Sequence, residues 1–176
     1  MTGRETAAAP SLQYGSPMEA SPDTMTQTSS IQPATVDDID ALLPMVEQYW
    51  RFENIEGFDP ARMRALLTRV LEDASLGRAW ISRVYGEPAG YLLAVYVFSL
   101  EHQGLTAEID EFFVVPQHRK LGIGGTMLAA AEAQFRIENC TNVSLQLGRS
   151  NEAARKFYRR HGFEGRAGFE LVSKML

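Results

Sequence analysis

Ile109-Asp-Glu-Phe-Phe-Val-Val-Pro-Gln-His-Arg-Lys-Leu-Gly-Ile-Gly-Gly-Thr126 reads as an apolar strand ending at Pro116, then a basic, glycine-rich turn opening straight into a helix. Within it Arg119, Gly122 and Gly124 spell R-x-x-G-x-G. Glycine allows a tight turn and lets the main chain approach a ligand closely. The first amides of a helix have no intrahelical acceptor and point outward beside the positive end of the helix dipole. Together these features make an anion site of pyrophosphate size, and so point to a phosphorylated cofactor held by the main chain. The competing reading is a strand-to-helix turn whose glycines only cap and pack. Two other glycine-rich motifs are excluded. No Gly-Lys-Ser/Thr follows, as a Walker loop requires, and Met127 stands where the dinucleotide fingerprint needs its third glycine.

Outward from this stretch, hydrophobic period and turn residues place the other elements. Upstream, Ile31 to Ala34 reads as a short strand, and Thr35-Val-Asp-Asp38 resembles a capping box with aspartate as its acid. A helix follows that buries Ile39, Leu42, Leu43, Val46 and Trp50, with a kink or break expected at Pro44. Pro60 to Leu71 is a second amphipathic helix, with proline suited to its first turn. Arg78 to Val84 and Ala89 to Ser99 flank a Gly/Pro turn and read as a hairpin, and Thr106 to Val115 as the next strand. Downstream, the helix from Gly122 to Arg136 puts Ile123, Met127, Ala131 and Phe135 on one face. Val143 to Leu147 alternates as a strand. Asn151 to His161 is a helix with Gly162 as left-handed terminator, and Phe169 to Leu176 closes as a final strand. The order is β-α-α-β-β-β-α-β-α-β, an α/β fold with a mixed sheet rather than a doubly wound one.

Composition bounds the function. A chain of 176 residues that is 45% apolar suits one domain with a proper core. A net charge of −5 argues against a nucleic-acid partner, which normally meets a basic face. No run approaches transmembrane length, and the single Cys140 suits a reducing cytoplasm. His102, His118 and His161 show no metal-ligand spacing with that cysteine, so no metal is expected. Residues 1–29 are rich in Ala, Ser, Thr, Pro and Gly and read as a disordered tail. Ala7 to Pro10 is too short and too weakly apolar for a signal peptide, and Met18 and Met25 are alternative starts.

Several of these residues combine into a specific likeness. R-x-x-G-x-G after a strand ending in Val-Pro, then Asn151, then Phe157-Tyr158-x-x-x-Gly162-Phe163, resembles the GNAT superfamily of acetyl-CoA-dependent N-acetyltransferases across residues 30–176. Asp110-Glu-Phe-Phe-Val114 is also similar, locally, to the equivalent strand of diamine acetyltransferases. The resemblance implies an acetyl-CoA site. In it Lys120, Leu121, Gly122, Ile123, Gly124, Gly125 and Thr126 wrap the pyrophosphate through main-chain amides, and Arg119 adds a charged contact. It implies that the backbone of Phe112, Phe113 and Val114 pairs with the pantetheine arm like an added strand. It implies that Asn151 bonds pantetheine or supports its helix, against an N-cap role as the plainer alternative. It makes Tyr158 the proton donor to the departing thiolate.

The residues themselves fit these roles. Asn151 and Tyr158 are seven apart and share a helical face, with Ala154 between them leaving room for a ligand. Ala153 and Phe157 turn toward a neighbouring face, read as the core side. An alkyl ammonium has a pKa of about 10.4 and must lose a proton before it can attack a thioester. Asp110 and Glu111 are the candidate bases. Strict alternation puts Glu111 with Ile109, Phe113 and Val115, and Asp110 with Phe112 and Val114, unless a bulge intervenes. The diamine likeness makes Asp110 the base and Glu111 a substrate contact; another subgroup favours Glu111. Cys140 has no neighbouring His, so direct attack in a ternary complex is expected rather than an acetyl-cysteine. Glu47, Trp50, Phe52, Glu53 and Glu56 fall where this superfamily builds its acceptor pocket, and acidic plus aromatic residues suit an amine. The acceptor is then a small-molecule amine or a peptide amine, with a non-catalytic acyl-CoA-binding module as the alternative. A homodimer is left open.

Overall fold

The computed structural model describes residues 29–175. Of the tail expected over residues 1–29, all but Ser29 lies outside the described residues, and Ser29 opens the first strand. Five strands run in the spatial order of the sequence: β1 (Ser29–Pro33), β2 (Gly77–Val84), β3 (Glu87–Ser99), β4 (Gly104–Val114) and β5 (Asn142–Leu145). The first four pair antiparallel and β5 joins β4 in parallel, so the sheet is mixed, as expected. The helices are α1 (Ile39–Glu53) and α2 (Pro60–Glu72) between β1 and β2, α3 (Ile123–Ile137) between β4 and β5, and α4 (Glu152–Arg160) after β5.

Two adjacent residues of β4 show how the layers lie. Phe113 meets Tyr49 of α1 edge-on at 6.3 Å, whereas Phe112 lies beside Gly124 of α3 and meets Phe157 of α4 at 6.0 Å. Neighbouring side chains on a strand point to opposite faces, so α1 covers one face and α3 with α4 the other. Trp80 of β2 packs at 90° on Phe135 of α3, and both are buried. Ile123, Met127, Ala131 and Phe135 all face the core, as their spacing predicts, together with Leu128.

Local signals hold well at the element ends. Asp38 accepts from the Thr35 amide at 3.0 Å and from Arg83 at 2.8 Å, closing the start of α1 against β2. The Asp59 carboxylate caps α2 by accepting from the Ala61 and Arg62 amides. Gly162 has φ +84, the left-handed conformation that ends α4.

Three expectations are corrected. Helix α1 continues through Pro44 without a break, at the cost of the one bond that an amide at this position would make to the Asp40 carbonyl. Its buried face is Ile39, Leu42, Met45 and Val46, with Leu43 and Trp50 only half-buried. The final strand is not formed. Residues 169–175 belong to no strand, and Phe169, Leu171, Val172 and Met175 are exposed. Alternating apolar residues make a strand only where an edge and an apolar surface receive them.

Candidate active site

Strand β4 stays paired with β3 as far as Val114, but its pairing with β5 ends at Ile109↔Leu145. From Asp110 to Val114 its second edge therefore has no strand beside it among the described residues. A cavity of about 800 Å³ opens along that edge, with Phe112, Phe113 and Val114 as one wall. Asn151, Ala154, Phe157 and Tyr158 of the α4 region form the opposite wall, and Gly122 to Gly125 the floor. Gly122 caps α3 with φ +80, a conformation natural only to glycine. The first helical bond of this end is Thr126 N–H to the Gly122 carbonyl at 3.1 Å. The amides of Ile123, Gly124 and Gly125 precede it and are left as donors at the positive end of α3. Arg119, Lys120 and Arg160 line the same cavity against the carboxylate of Glu53, so its charge favours an anion.

Not every residue expected here arrives. Leu121 is exposed and does not line the cavity, and Thr126 turns its hydroxyl back onto the Gly122 carbonyl at 3.2 Å. A helix's fourth amide and a β-branched hydroxyl both have acceptors within their own turn, so neither is left for a ligand. Arg119 lines the cavity, but its Nε donates to the Val114 carbonyl at 2.9 Å. Its guanidinium lies over the Phe52 and Phe113 rings at 5.2 and 5.5 Å. Asn151 takes the plainer role, that of N-cap. Its Oδ1 caps α4 by accepting from the Ala154 amide at 3.1 Å, and the residue faces the cavity. Phe157, read as turned to the core, packs on the core and lines the cavity at once, and Ala153 is an exposed part of its wall.

A second cavity of about 830 Å³ lies on the other side of the β4–β5 divergence. Glu53, Glu108, Asp110 and Glu170 bring four carboxylates to it. Arg166 is there too, paired with Glu101. Tyr49 and Glu53, one turn apart on α1, line both cavities, and so mark where the two meet.

The structure separates the two candidate bases. Leu93 pairs with Glu111 and Ala94 with Ile109, which leaves Asp110 as an extra residue with no partner on β3. This is a β-bulge, and it breaks the alternation read from sequence. Asp110 is exposed into the acidic cavity. Partial desolvation, then the neighbouring Glu108 charge, raises its pKa. Glu111 lines neither cavity. Its carboxylate accepts from Trp50 Nε1 and from the Tyr91 hydroxyl, each at 2.8 Å. Burial raises its pKa, and these two bonds pull the other way. Glu111 thus ties α1 to β3 instead of meeting an acceptor.

Tyr158 is half-buried, its ring edge-on to Phe163 at 5.4 Å. Burial, then Tyr49, raises its pKa, so it carries its proton at neutral pH. Burial and the Glu138 charge raise the Cys140 thiol, which is the wrong direction for a nucleophile. Of the acidic and aromatic group at the end of α1, Phe52 and Glu53 reach the cavities, Trp50 serves Glu111, and Glu47 pairs with Arg51. Tyr49 was not singled out from sequence. Its signal was the spacing of four to Glu53, on the face that carries Met45.

Residues 42–163 match the pattern that defines the acetyltransferase (GNAT) family. The chain belongs to that family. This member is similar to YhfO of Bacillus subtilis (strain 168), described as an uncharacterized N-acetyltransferase. The two are 29% identical over 140 residues, which span 80% of this chain and 93% of that protein. Among solved structures, a possible acetyltransferase from Clostridium difficile 630 superposes with a TM-score of 0.74 at 16% identity, covering 84% of this chain and 98% of that one. The aminoglycoside N-acetyltransferase AAC(6')-Iy, in complex with CoA, gives a TM-score of 0.74 at 16% identity, covering 85% and 97%. This GNAT chain is an acetyltransferase with the fold of those proteins. Among its described residues no helix is long and apolar enough to cross a membrane.

Proposed function

We propose that this enzyme moves the acetyl group of acetyl-CoA onto a small primary amine that arrives as a cation, by direct attack in a ternary complex. The observation that carries the reading is the meeting of two unlike cavities at Tyr49 and Glu53, one offering free helix amides and cations, the other four carboxylates. The amides of Ile123, Gly124 and Gly125 hold the pyrophosphate, and the free edge of Phe112 to Val114 receives the pantetheine amides. Arg119 joins the phosphate contacts by leaving the Val114 carbonyl. Asn151 holds the start of α4 and contacts the pantetheine.

Acetyl transfer then takes two protons from the ammonium nitrogen and gives one to sulfur. Asp110 takes one from the ammonium, for which a raised carboxylate pKa is a better match than an ordinary one. Tyr158 gives one to the sulfur as the carbon–sulfur bond breaks, and its burial keeps that proton in place until then. The acidic cavity concentrates cations at the point of attack. The test is thiol release from acetyl-CoA with matched panels of mono-amines, diamines and peptides with free amino termini. Small cationic amines should be turned over and peptides should not; preferential turnover of peptides would replace the small-amine reading.

A further inference from the structure

Tyr49 stands where the two cavities meet. A thioester held in one and an amine held in the other can react only there, because the reacting atoms must come within van der Waals contact. The Tyr49 ring is fixed edge-on against buried Phe113. Tyr91 spends its hydroxyl on Glu111 at 2.8 Å, whereas no such bond engages the Tyr49 hydroxyl among the described residues. Burial and the charges of Glu111, Glu53 and Asp110 push the Tyr49 phenol up to about 12, so it keeps its proton and remains a donor. Tyr158 faces the same cavity from α4, near enough for the two phenols to interact.

We propose that Tyr49 is a catalytic residue of the acyl transfer, its hydroxyl donating a hydrogen bond to the thioester carbonyl oxygen as that oxygen becomes negative. The inference rests on the acetyl-CoA reading above. When the amine nitrogen bonds to the carbonyl carbon, the π pair of the C=O bond moves onto oxygen. Tyr49 holds that oxygen without giving up its proton. The pair then returns, the carbon–sulfur bond breaks, and sulfur leaves with the Tyr158 proton. Of the two protons the ammonium nitrogen loses, the first is taken by Asp110 before attack, and the second, lost as the amide forms, returns to the Tyr158 phenolate. A neutral, proton-keeping donor suits this place. The charges of Glu111 and Glu53 nearby oppose a further negative charge, and a preorganised donor offsets that opposition where charge develops.

The experiment uses the full chain, acetyl-CoA labelled with carbon-13 at the carbonyl, and Tyr49→Phe, which keeps the ring against Phe113. Infrared difference spectra report the bound carbonyl stretch, and calorimetry reports affinity for CoA, which has no carbonyl at that position. In the wild type the stretch should lie below its value in water, and Tyr49→Phe should move it back. The variant's kcat should fall about a hundredfold, with CoA affinity within about twofold of wild type. An unmoved band with an unchanged kcat overturns the proposal, and so does a loss of CoA affinity equal to the loss of rate, which is the mark of packing alone. A wild type that shows the shifted band but acetylates no amine would sink the small-amine reading while supporting the Tyr49 bond. A wild type that binds no acetyl-CoA would overturn both.

Discussion

The cavity beneath α3 takes its donors from the main chain of Ile123, Gly124 and Gly125, whereas the cavity beyond β5 is lined by side chains from α1, β4 and the chain after α4. The first is set by local dihedrals: a left-handed Gly122 and a helix start suffice to aim its amides. The second exists only because a bulge turns Asp110 out of the ladder while a distant helix brings Glu53 alongside. A main-chain site tolerates changes of side chain but not of backbone conformation. A side-chain site behaves in the opposite way. The first therefore suits the part of the reaction that stays constant, the second the part that sets the acceptor.

The contrast is sharpest within the carboxylate pair, where the largest effect is expected. Asp110→Asn should lower acetylation about a hundred- to a thousandfold near pH 7, and the loss should shrink near pH 9 as free amine replaces the missing base. Initial rates across that range check it; a loss of equal size at every pH would make Asp110 a binding residue. Tyr158→Phe should lower kcat by roughly ten- to a hundredfold with little change in acetyl-CoA affinity, since the ring and its packing remain. Single-turnover kinetics with the best acceptor measures the chemical step directly.

A backbone test comes next. Gly124→Val should weaken CoA binding roughly tenfold or more while the fold survives. A Cβ at Gly124 meets Phe157 at 3.5 Å, an ordinary contact, so the added methyl groups take up cavity space. Unchanged affinity by calorimetry would remove the α3 amides from the phosphate site. Glu111→Gln should act mainly on stability, by about 1–3 kcal/mol, because the buried donors Trp50 and Tyr91 then face a weaker acceptor. Denaturant unfolding reads that cost, and a rate loss larger than the loss in Asp110→Asn would exchange the two roles.

The smallest effect has a sign worth working out. The Asp110 pKa is raised in the folded state, so the folded chain binds that proton more tightly than the unfolded chain does. Stability from this group is complete below the ordinary carboxylate pKa of about 4 and is lost as pH rises through the raised value. Asp110→Asn should therefore melt slightly higher than wild type near neutral pH, with the difference disappearing below about pH 4. A variant less stable at neutral pH would show that the charge is compensated by a partner.

The same contrast explains what the sequence could disclose. The glycine turn, the α3 face and the Gly162 terminator were legible because each rests on a local conformational preference. The two faces of β4 could be assigned only up to a bulge, because one extra residue shifts the phase of alternation across it, and the ladder that reveals it is made with β3. Tyr49 escaped notice because its neighbours in space, Phe113 and Glu111, lie more than sixty residues away. Phe169 to Met175 carries a strand pattern, yet pattern alone supplies no partner.

The bulge at Asp110 also sets how this strand can change its length. Phe112 must reach α3 and α4 while Phe113 reaches α1, and their places opposite Leu92 and Tyr91 of β3 decide which goes where. Removing Asp110 would leave those pairs as they are and restore an unbroken ladder, so both phenylalanines would keep their faces. The extra residue is an insertion that the sheet absorbs without moving its neighbours. A single-codon deletion at Asp110 would therefore spare the sheet and take away only the carboxylate it carries into the second cavity.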